Sequence, residues 1–343
     1  MSKDFTPGRP LRVYGKNKVY KDYSTETLVG EKLNYFQGWL CGMGVENIFI
    51  DSSGNTFGAN CRQDGSLGNI FEKIKIPRNW RVCEKVLCRC GGDLFIPKAR
   101  DAQALPRLVK TAGGTLSEHT QKDFPLDEFV AMERVHDADL KQIHWELLRR
   151  CNYSCNYCPP SLHNKTEIYK NFDQLIRATL LLDEQFAQGA NAHFIITGGE
   201  PTINPALLDW VKFIKSLGHT VSMHSNGSRQ PGYYQELIQY THLNLSLHFE
   251  FYKSERFLAV IAAVLAEKIR VKNKNVGHLE VKIMMPPGFM AQALEVEQKI
   301  FQLPQFSSYC TLAIVPIRDG DNGDLLQEGY KNDDFKLFGD RQN

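Results

Sequence analysis

The sequence predicts an α/β protein: a run of six alternating strands and helices behind a small cysteine-rich metal-binding module. Three observations carry this. From about residue 141, short apolar strands alternate with helical segments, the pattern of a parallel sheet with right-handed crossovers. Those strands are apolar on one face only. Finally, seven of the nine cysteines form two tight groups, one early in the chain and one directly after the first of the six strands.

The candidate strands are "QIHWELL" (142–148), "HFIITGG" (193–199), "TVSMHSN" (220–226), "LNLSLHF" (243–249), "LEVKIMM" (279–285) and "LAIVPI" (312–317). Between them, "NPALLDWVKFIKSLG" predicts a helix with Asn204 as cap, Pro205 at the first position and Gly218 closing the end. Its Leu207, Leu208, Val211, Ile214 and Leu217 recur at helical spacing. "SERFLAVIAAVLAEKIR" (254–270) predicts a second helix, from a Ser254 cap to basic residues that suit the helix dipole.

The strands also separate two faces. Leu243, Leu245, Leu247 and Phe249 alternate with Asn244, Ser246, His248 and Glu250, and neighbouring strands repeat the pattern. A parallel sheet covered on both sides reads as near-continuous hydrophobic runs. One polar face instead puts helices outside and a polar lumen inside, as in an open or closed α/β barrel. His144, Glu146, His224, Asn244, Glu250, Glu280 and Lys282 are candidate lumen contacts for a ligand or cofactor.

The rest of the chain divides by composition. Residues 1–30 read as a polar arm, 31–110 as the Gly- and Cys-rich module, 111–140 as a linker with one short helix, 141–318 as the barrel and 319–343 as a tail. The 343 residues are 42% hydrophobic and 23% charged with a net charge of +2. That balance suits a globular protein of about two domains and implies no broad nucleic-acid surface. The start, "MSKDFTPGRP", has no apolar core, and no run approaches the roughly 18–20 apolar residues of a membrane helix. A cytoplasmic location without a membrane partner is the resulting expectation, and there nine cysteines point to metal before disulfides.

"RRCNYSCNYCPP" (149–160) places Cys151, Cys155 and Cys158 in a C-x3-C-x2-C spacing at the carboxyl end of the first strand, where α/β barrels place their chemistry. A structural zinc wants four protein ligands, and no fourth is nearby. Three cysteines on such a loop fit a [4Fe–4S] cluster with one iron left open. At the end of the second strand, "TGGEP" (197–201) offers paired glycines and the carboxylate of Glu200, suited to an ammonium group.

These stretches resemble the signature of the radical S-adenosylmethionine superfamily, with Tyr157 as the aromatic residue before the last cysteine. The resemblance covers roughly residues 142–318, the length of that family's six-stranded partial barrel. It implies a [4Fe–4S] cluster on Cys151, Cys155 and Cys158, and an S-adenosylmethionine site formed by Tyr157, Thr197, Gly198, Gly199, Glu200, Asn226, Ser246 and His248. It also implies reductive cleavage of the cofactor to a 5′-deoxyadenosyl radical, an electron donor such as flavodoxin or ferredoxin, and a peptide or small natural-product-like substrate. A radical methyltransferase, a carbon-skeleton-modifying enzyme and a non-catalytic iron–sulfur scaffold or maturation partner are the alternatives. Gly198, Gly199 and Glu200 argue against the scaffold, which needs no S-adenosylmethionine pocket.

The front group, Cys61, Cys83, Cys88 and Cys90, has the four thiols of one zinc or one [4Fe–4S]. It resembles the auxiliary-cluster modules of the SPASM/twitch type, although those usually follow the barrel. An auxiliary [4Fe–4S], a structural zinc and no metal all remain open. Cys41 reads as a small buried residue. Cys310 reads as a buried filler, with the sharper alternative of a thiol hydrogen-atom donor, as in peptide epimerases of the superfamily.

Overall fold

In the computed structural model the described residues are 10–16, 19–88, 90–101, 120–121, 126–135, 140–163, 165–272, 276–317, 327–331 and 333–334. The chain forms two units, Met1–His144 with Leu181–Ala192, and Trp145–Leu180 with His193–Asn343. Most of the linker's expected helix and most of the tail lie outside the described residues.

In the second unit the six-strand reading is met. The strands are β1 (Lys141–Leu148, which begins in the first unit), β2 (Ala192–Gly198), β3 (Thr220–Ser225), β4 (His242–His248), β5 (Leu279–Met285) and β6 (Cys310–Pro316). They lie side by side in sequence order, and β2 through β6 pair in parallel. The register sets Asn244 opposite Glu280 and Ser246 opposite Lys282, so the polar residues form rows across one face. Val221, Leu245, Val281 and Ile283 on the other face are buried. That alternation is what a sheet helix-covered on one side should show.

The helices are α1 (Phe172–Leu182), α2 (Leu207–Ser216), α3 (Pro231–Leu237), α4 (Ser254–Arg270) and α5 (Met290–Phe301). The helix α2 begins later than the expected cap. Asn204 instead closes the preceding turn, its Oδ1 accepting the Ala206 N–H at 2.9 Å, and Ala206 precedes the first helical residue. Ser254 is the first residue of α4 rather than its cap. Both shifts are local choices among polar donors that helical periodicity does not fix.

Trp145 and Trp210, both fully buried, meet edge to face with ring centroids 5.1 Å apart. The Trp210 Nε1–H donates to Thr179 Oγ1 at 2.8 Å, so α1, α2 and β1 meet at one indole.

The first unit departs from the expected arm. Leu11–Gly15 and Val19–Tyr23 pair antiparallel, and Leu11–Gly15 pairs again with Phe129–Arg134, from the stretch read as a linker. These strands belong to a seven-stranded sheet that also holds Lys98–Ala99, Leu40–Cys41 and Arg81–Val82. The polar look of residues 1–30 misleads because hydrogen-bonding strands need only every second side chain buried, and Leu11 and Val13 supply that. A separate antiparallel meander runs through Asn47–Ile50, Asn55–Phe57, Ser66–Asn69 and Lys73–Ile74. Its first turn is the expected "DSSGN", where Asp51 Oδ1 accepts the N–H groups of Ser53 and Asn55.

Trp210→Ala should lower the unfolding free energy by about 3–5 kcal/mol through the cavity it leaves and the orphaned Thr179 hydroxyl. Denaturant unfolding of the apoprotein reads this directly. A loss under about 1 kcal/mol would mean the helices do not depend on that indole.

Candidate functional site

The cysteine loop leaves β1 at Leu148 and is fixed from both sides by the ends of neighbouring strands. The N–H of Gly199 donates to the Leu148 carbonyl at 2.7 Å, and that of Glu200 to the Arg150 carbonyl at 2.9 Å. A Cβ on Gly198, whose φ is +125°, would stand 2.1 Å from the Leu148 oxygen, and one on Gly199 would stand 2.2 Å from the Arg150 oxygen. The paired glycines therefore serve the close approach of two backbones, in addition to any approach by a ligand.

Glu200 is a brace. It is fully buried, and its Oε1 accepts from the Thr202 N–H at 3.0 Å, the Thr202 hydroxyl at 2.6 Å and the Ser225 hydroxyl at 2.9 Å. Its Oε2 accepts the Asn226 N–H at 2.6 Å. Burial pushes this carboxyl up, and the four donors pull against that. The ends of β2 and β3 thus supply three donors to Oε1 and one to Oε2. Thr197 is half-buried at the end of β2.

Asn226 carries that brace to the loop. Its Nδ2 donates to Asn152 Oδ1 at 2.9 Å and lies 3.8 Å from Cys151 Sγ. On the far side, both carboxylate oxygens of Glu250 accept the Asn156 N–H at 3.1 Å, and the Tyr157 hydroxyl lies 2.5 Å from His248 Nδ1. Within the loop, Cys151 Sγ accepts the Tyr153 N–H at 3.4 Å, and the Cys158 N–H donates to the Cys155 carbonyl at 3.0 Å. Cys155 and Cys158 share a thiol hydrogen bond that raises the first and lowers the second. Burial pushes Cys151 up to about 11. Bound metal would deprotonate all three.

The structure thus brings Cys151, Cys155, Cys158, Tyr157, Gly198, Gly199, Glu200, Asn226 and His248 to one end of the strands. Ser246 sits on the polar face of β4, opposite Lys282. Beside the loop is a cavity of about 240 Å³, with Asn152, Tyr153, Asn226, His248, Phe251 and Arg256 among its lining residues.

Of the expected lumen contacts, Asn244 Nδ2 donates to Glu280 Oε2 at 2.6 Å, and Lys282 Nζ lies 3.6 Å from Glu280 Oε1. His224 is exposed on the same face. Glu146 pairs with Arg149 at 2.8 Å. His144 belongs to the first unit, where its ring sits where a Cβ on Gly92 would project. Sequence reasoning missed Glu167, which accepts the N–H groups of Arg149 and Arg150 at the start of the loop. No spacing marks a partner reached only by the fold.

Cys310 stands apart from the loop. It opens β6 opposite Leu279, at the amino ends of the parallel strands, whereas the cysteine loop stands at the carboxyl ends. A seven-residue strand spans about 20 Å. The thiol is buried, donates to the Thr311 carbonyl at 3.2 Å and neighbours Lys268, so it is placed as packing.

In the first unit, Cys61, Cys83 and Cys88 share one apolar cluster with Cys41. Cys90 lies outside that cluster and accepts from Asn60 Nδ2 at 3.2 Å. Among the described residues no three His, Cys, Asp or Glu side chains are set to hold a single metal ion, and that includes the Cys151 loop.

Residues 145–278 match the family described as the radical SAM superfamily. This stretch is a radical SAM domain. Over 132 residues the chain is 29% identical to a GTP 3',8-cyclase of Rippkaea orientalis, which covers 36% of this chain and 38% of that protein. Over 86 residues it is 31% identical to an AdoMet-dependent heme synthase of Oleidesulfovibrio alaskensis, covering 25% of this chain and 21% of that protein. The chain therefore spans well under half the length of these relatives. A crystal structure of an archaeal TYW1 is similar at a TM-score of 0.27 and 16% identity, over 42% of this chain and 58% of that one. No helix among the described residues is long and apolar enough to cross a membrane.

Glu200→Ala should orphan the Thr202, Ser225 and Asn226 donors and cost on the order of 3 kcal/mol. A melting temperature equal to wild type would show that Glu200 faces a ligand instead. Lys268 gives a second test. Burial lowers it from 10.5 to about 8, so between those values the unfolded chain binds more protons and stability rises with pH. The stability advantage of Lys268→Met should therefore be full below pH 8 and shrink toward pH 10.5. An advantage that does not change with pH would contradict a buried charge.

Proposed function

We propose that the protein is a radical SAM enzyme in which Cys151, Cys155 and Cys158 hold a [4Fe–4S] cluster, and the six strands curve into a partial barrel around substrate. The observation that carries this is the direct bonding of the β2 end, at Gly199 and Glu200, to the cysteine loop. The donor chemistry fits: three thiols on one loop suit a cluster with an open iron better than a mononuclear ion.

When bound, the cluster and S-adenosylmethionine would supply a 5′-deoxyadenosyl radical by one-electron cleavage of the sulfonium. The chain's own residues orient that chemistry. Glu250 and His248 hold the loop from β4, and Asn226 holds it from β3. In the adjacent cavity, Arg256 and Lys253 offer cations for a carboxylate, and Tyr153 and Phe251, stacked at 4.8 Å, offer a flat apolar wall. Thr197, Gly198, Gly199, Tyr157 and Ser246 complete the proposed cofactor site. Glu200 acts within it by fixing Asn226.

The relatives are named for GTP cyclisation and for heme synthesis. Substrates that different give no common class. A peptide or small natural-product-like substrate is the reading retained here, because the open polar face with His224, Asn244, Glu280 and Lys282 offers donors and acceptors in rows. A flavodoxin or ferredoxin would supply the electron. The front-unit thiols are proposed to hold a second centre, iron–sulfur or zinc.

Changing Cys151, Cys155 and Cys158 together to Ala should remove roughly four irons from the anaerobically reconstituted protein. It should also abolish formation of 5′-deoxyadenosine from S-adenosylmethionine with dithionite. Cleavage at the wild-type rate in that variant would end this reading.

A further inference from the structure

Between the cysteine loop and α1 stands the most exposed large apolar side chain among the described residues. Ile168 is 86% exposed. Its neighbours tie this segment to the loop. Glu167 accepts the N–H groups of Arg149 and Arg150, and the Arg150 guanidinium stands 5.0 Å over the Tyr169 ring. Earlier in the segment, His163 Nδ1 lies 3.2 Å from the Tyr153 carbonyl. Ile168 is therefore presented to solvent by a fastened backbone.

An apolar stripe continues from it along α1. Phe172, Ile176 and Leu180 recur every four residues, which sets them on one helix face. Phe172 is 37% and Leu180 45% exposed, with Ile176 half-buried between them. The helix does not need them for its core, because Leu175, Ala178 and Leu182 fill that role and are buried. Single exposed apolar residues are ordinary, but several in line mark an interaction surface.

The same stretch is basic. Residues 149–177 hold five Arg and Lys against two Asp and Glu, whereas the whole chain has 41 against 39. One of those two carboxylates, Glu167, is occupied by the loop amides and by Lys170 at 3.1 Å. Lys165 and Arg177 are exposed on either side of Ile168 and Phe172 in the chain. An apolar centre with a cationic rim is the complement of an acidic protein.

We propose that Ile168, Phe172, Ile176 and Leu180, flanked by Lys165 and Arg177, form the docking surface for a small acidic one-electron carrier protein. This rests on the radical SAM reading, in which the cysteine loop takes up one electron per cleavage. Electron tunnelling falls steeply with distance, so the carrier must seat beside the loop, where this stripe begins. Two other occupants fit less well. A symmetric contact between two copies would set like charges against each other. Substrate is expected on the polar face of the sheet, whereas α1 packs on the other face, through Thr179 and Trp210 to Trp145.

The test compares reductants on the reconstituted full chain, with formation of 5′-deoxyadenosine as the readout. Dithionite is small and needs no docking surface. Flavodoxin, reduced by NADPH and its reductase, and reduced ferredoxin are the protein donors. Ile168→Asp and the double variant Lys165→Glu/Arg177→Glu should keep the wild-type rate with dithionite. With the protein donor that supports wild type, kcat/KM for the donor should fall about tenfold or more. Wild-type kcat/KM should also fall as salt rises, and that of the double variant should not. Lys299→Glu on α5 changes a charge elsewhere and should leave both rates unchanged.

Protein-driven rates at the wild-type level in both variants overturn the docking surface. So does an equal loss with dithionite, which would place these residues in the chemistry, or an equal loss in Lys299→Glu. Wild-type cleavage with dithionite but with neither protein donor overturns the partner. A wild-type dimer in sedimentation that Ile168→Asp dissociates assigns the stripe to a second copy instead. Absence of cleavage by wild type with dithionite ends the radical SAM reading, and this proposal with it.

Discussion

One buried carboxylate organises the carboxyl ends of the strands. Glu200 accepts four hydrogen bonds, from Thr202, Ser225 and Asn226, while its own N–H and that of Gly199 reach back to the start of the cysteine loop. Inside a protein such a network is strong when complete and costly when broken. Because it joins β1, β2 and β3, the position of Cys151 is set by the sheet and not by the loop itself. The glycines beside it follow from the same demand, since two backbones approach where any Cβ would collide.

The other half of the loop depends on β4. Glu250 takes the Asn156 amide and His248 takes the Tyr157 hydroxyl. Two strand ends thus grip the loop from opposite sides, with the cavity next to it. That arrangement suits chemistry in which a reactive species must form near its target and away from water, since positioning by rigid elements is more exact than positioning by free loops.

Charge shapes the first unit in a comparable way. Lys98 is buried with its Nζ on the Asp93 and Ile96 carbonyls, in charge range of the Asp93 carboxylate and of several thiols. The seven-stranded sheet that delivers Cys41 and Cys83 to one face is assembled from segments far apart in the chain, including residues whose composition resembles a loose arm.

The sequence alone determined the strand–helix alternation, the polar and apolar faces and the cysteine loop at the end of β1, because periodicity and close spacing are local properties. The tertiary structure decided the partners. Glu200 looked like a free carboxylate until Ser225 and Asn226 were brought to it, and Cys41 looked solitary until an antiparallel ladder placed Cys83 beside it. Cys310 falls at the wrong end because parallel strands all point one way, a direction the sequence already contained in its place at the head of β6. Hydrogen-bond and ligand choices depend on which groups meet across long stretches of chain, and burial then makes each unpaired group too costly to leave alone.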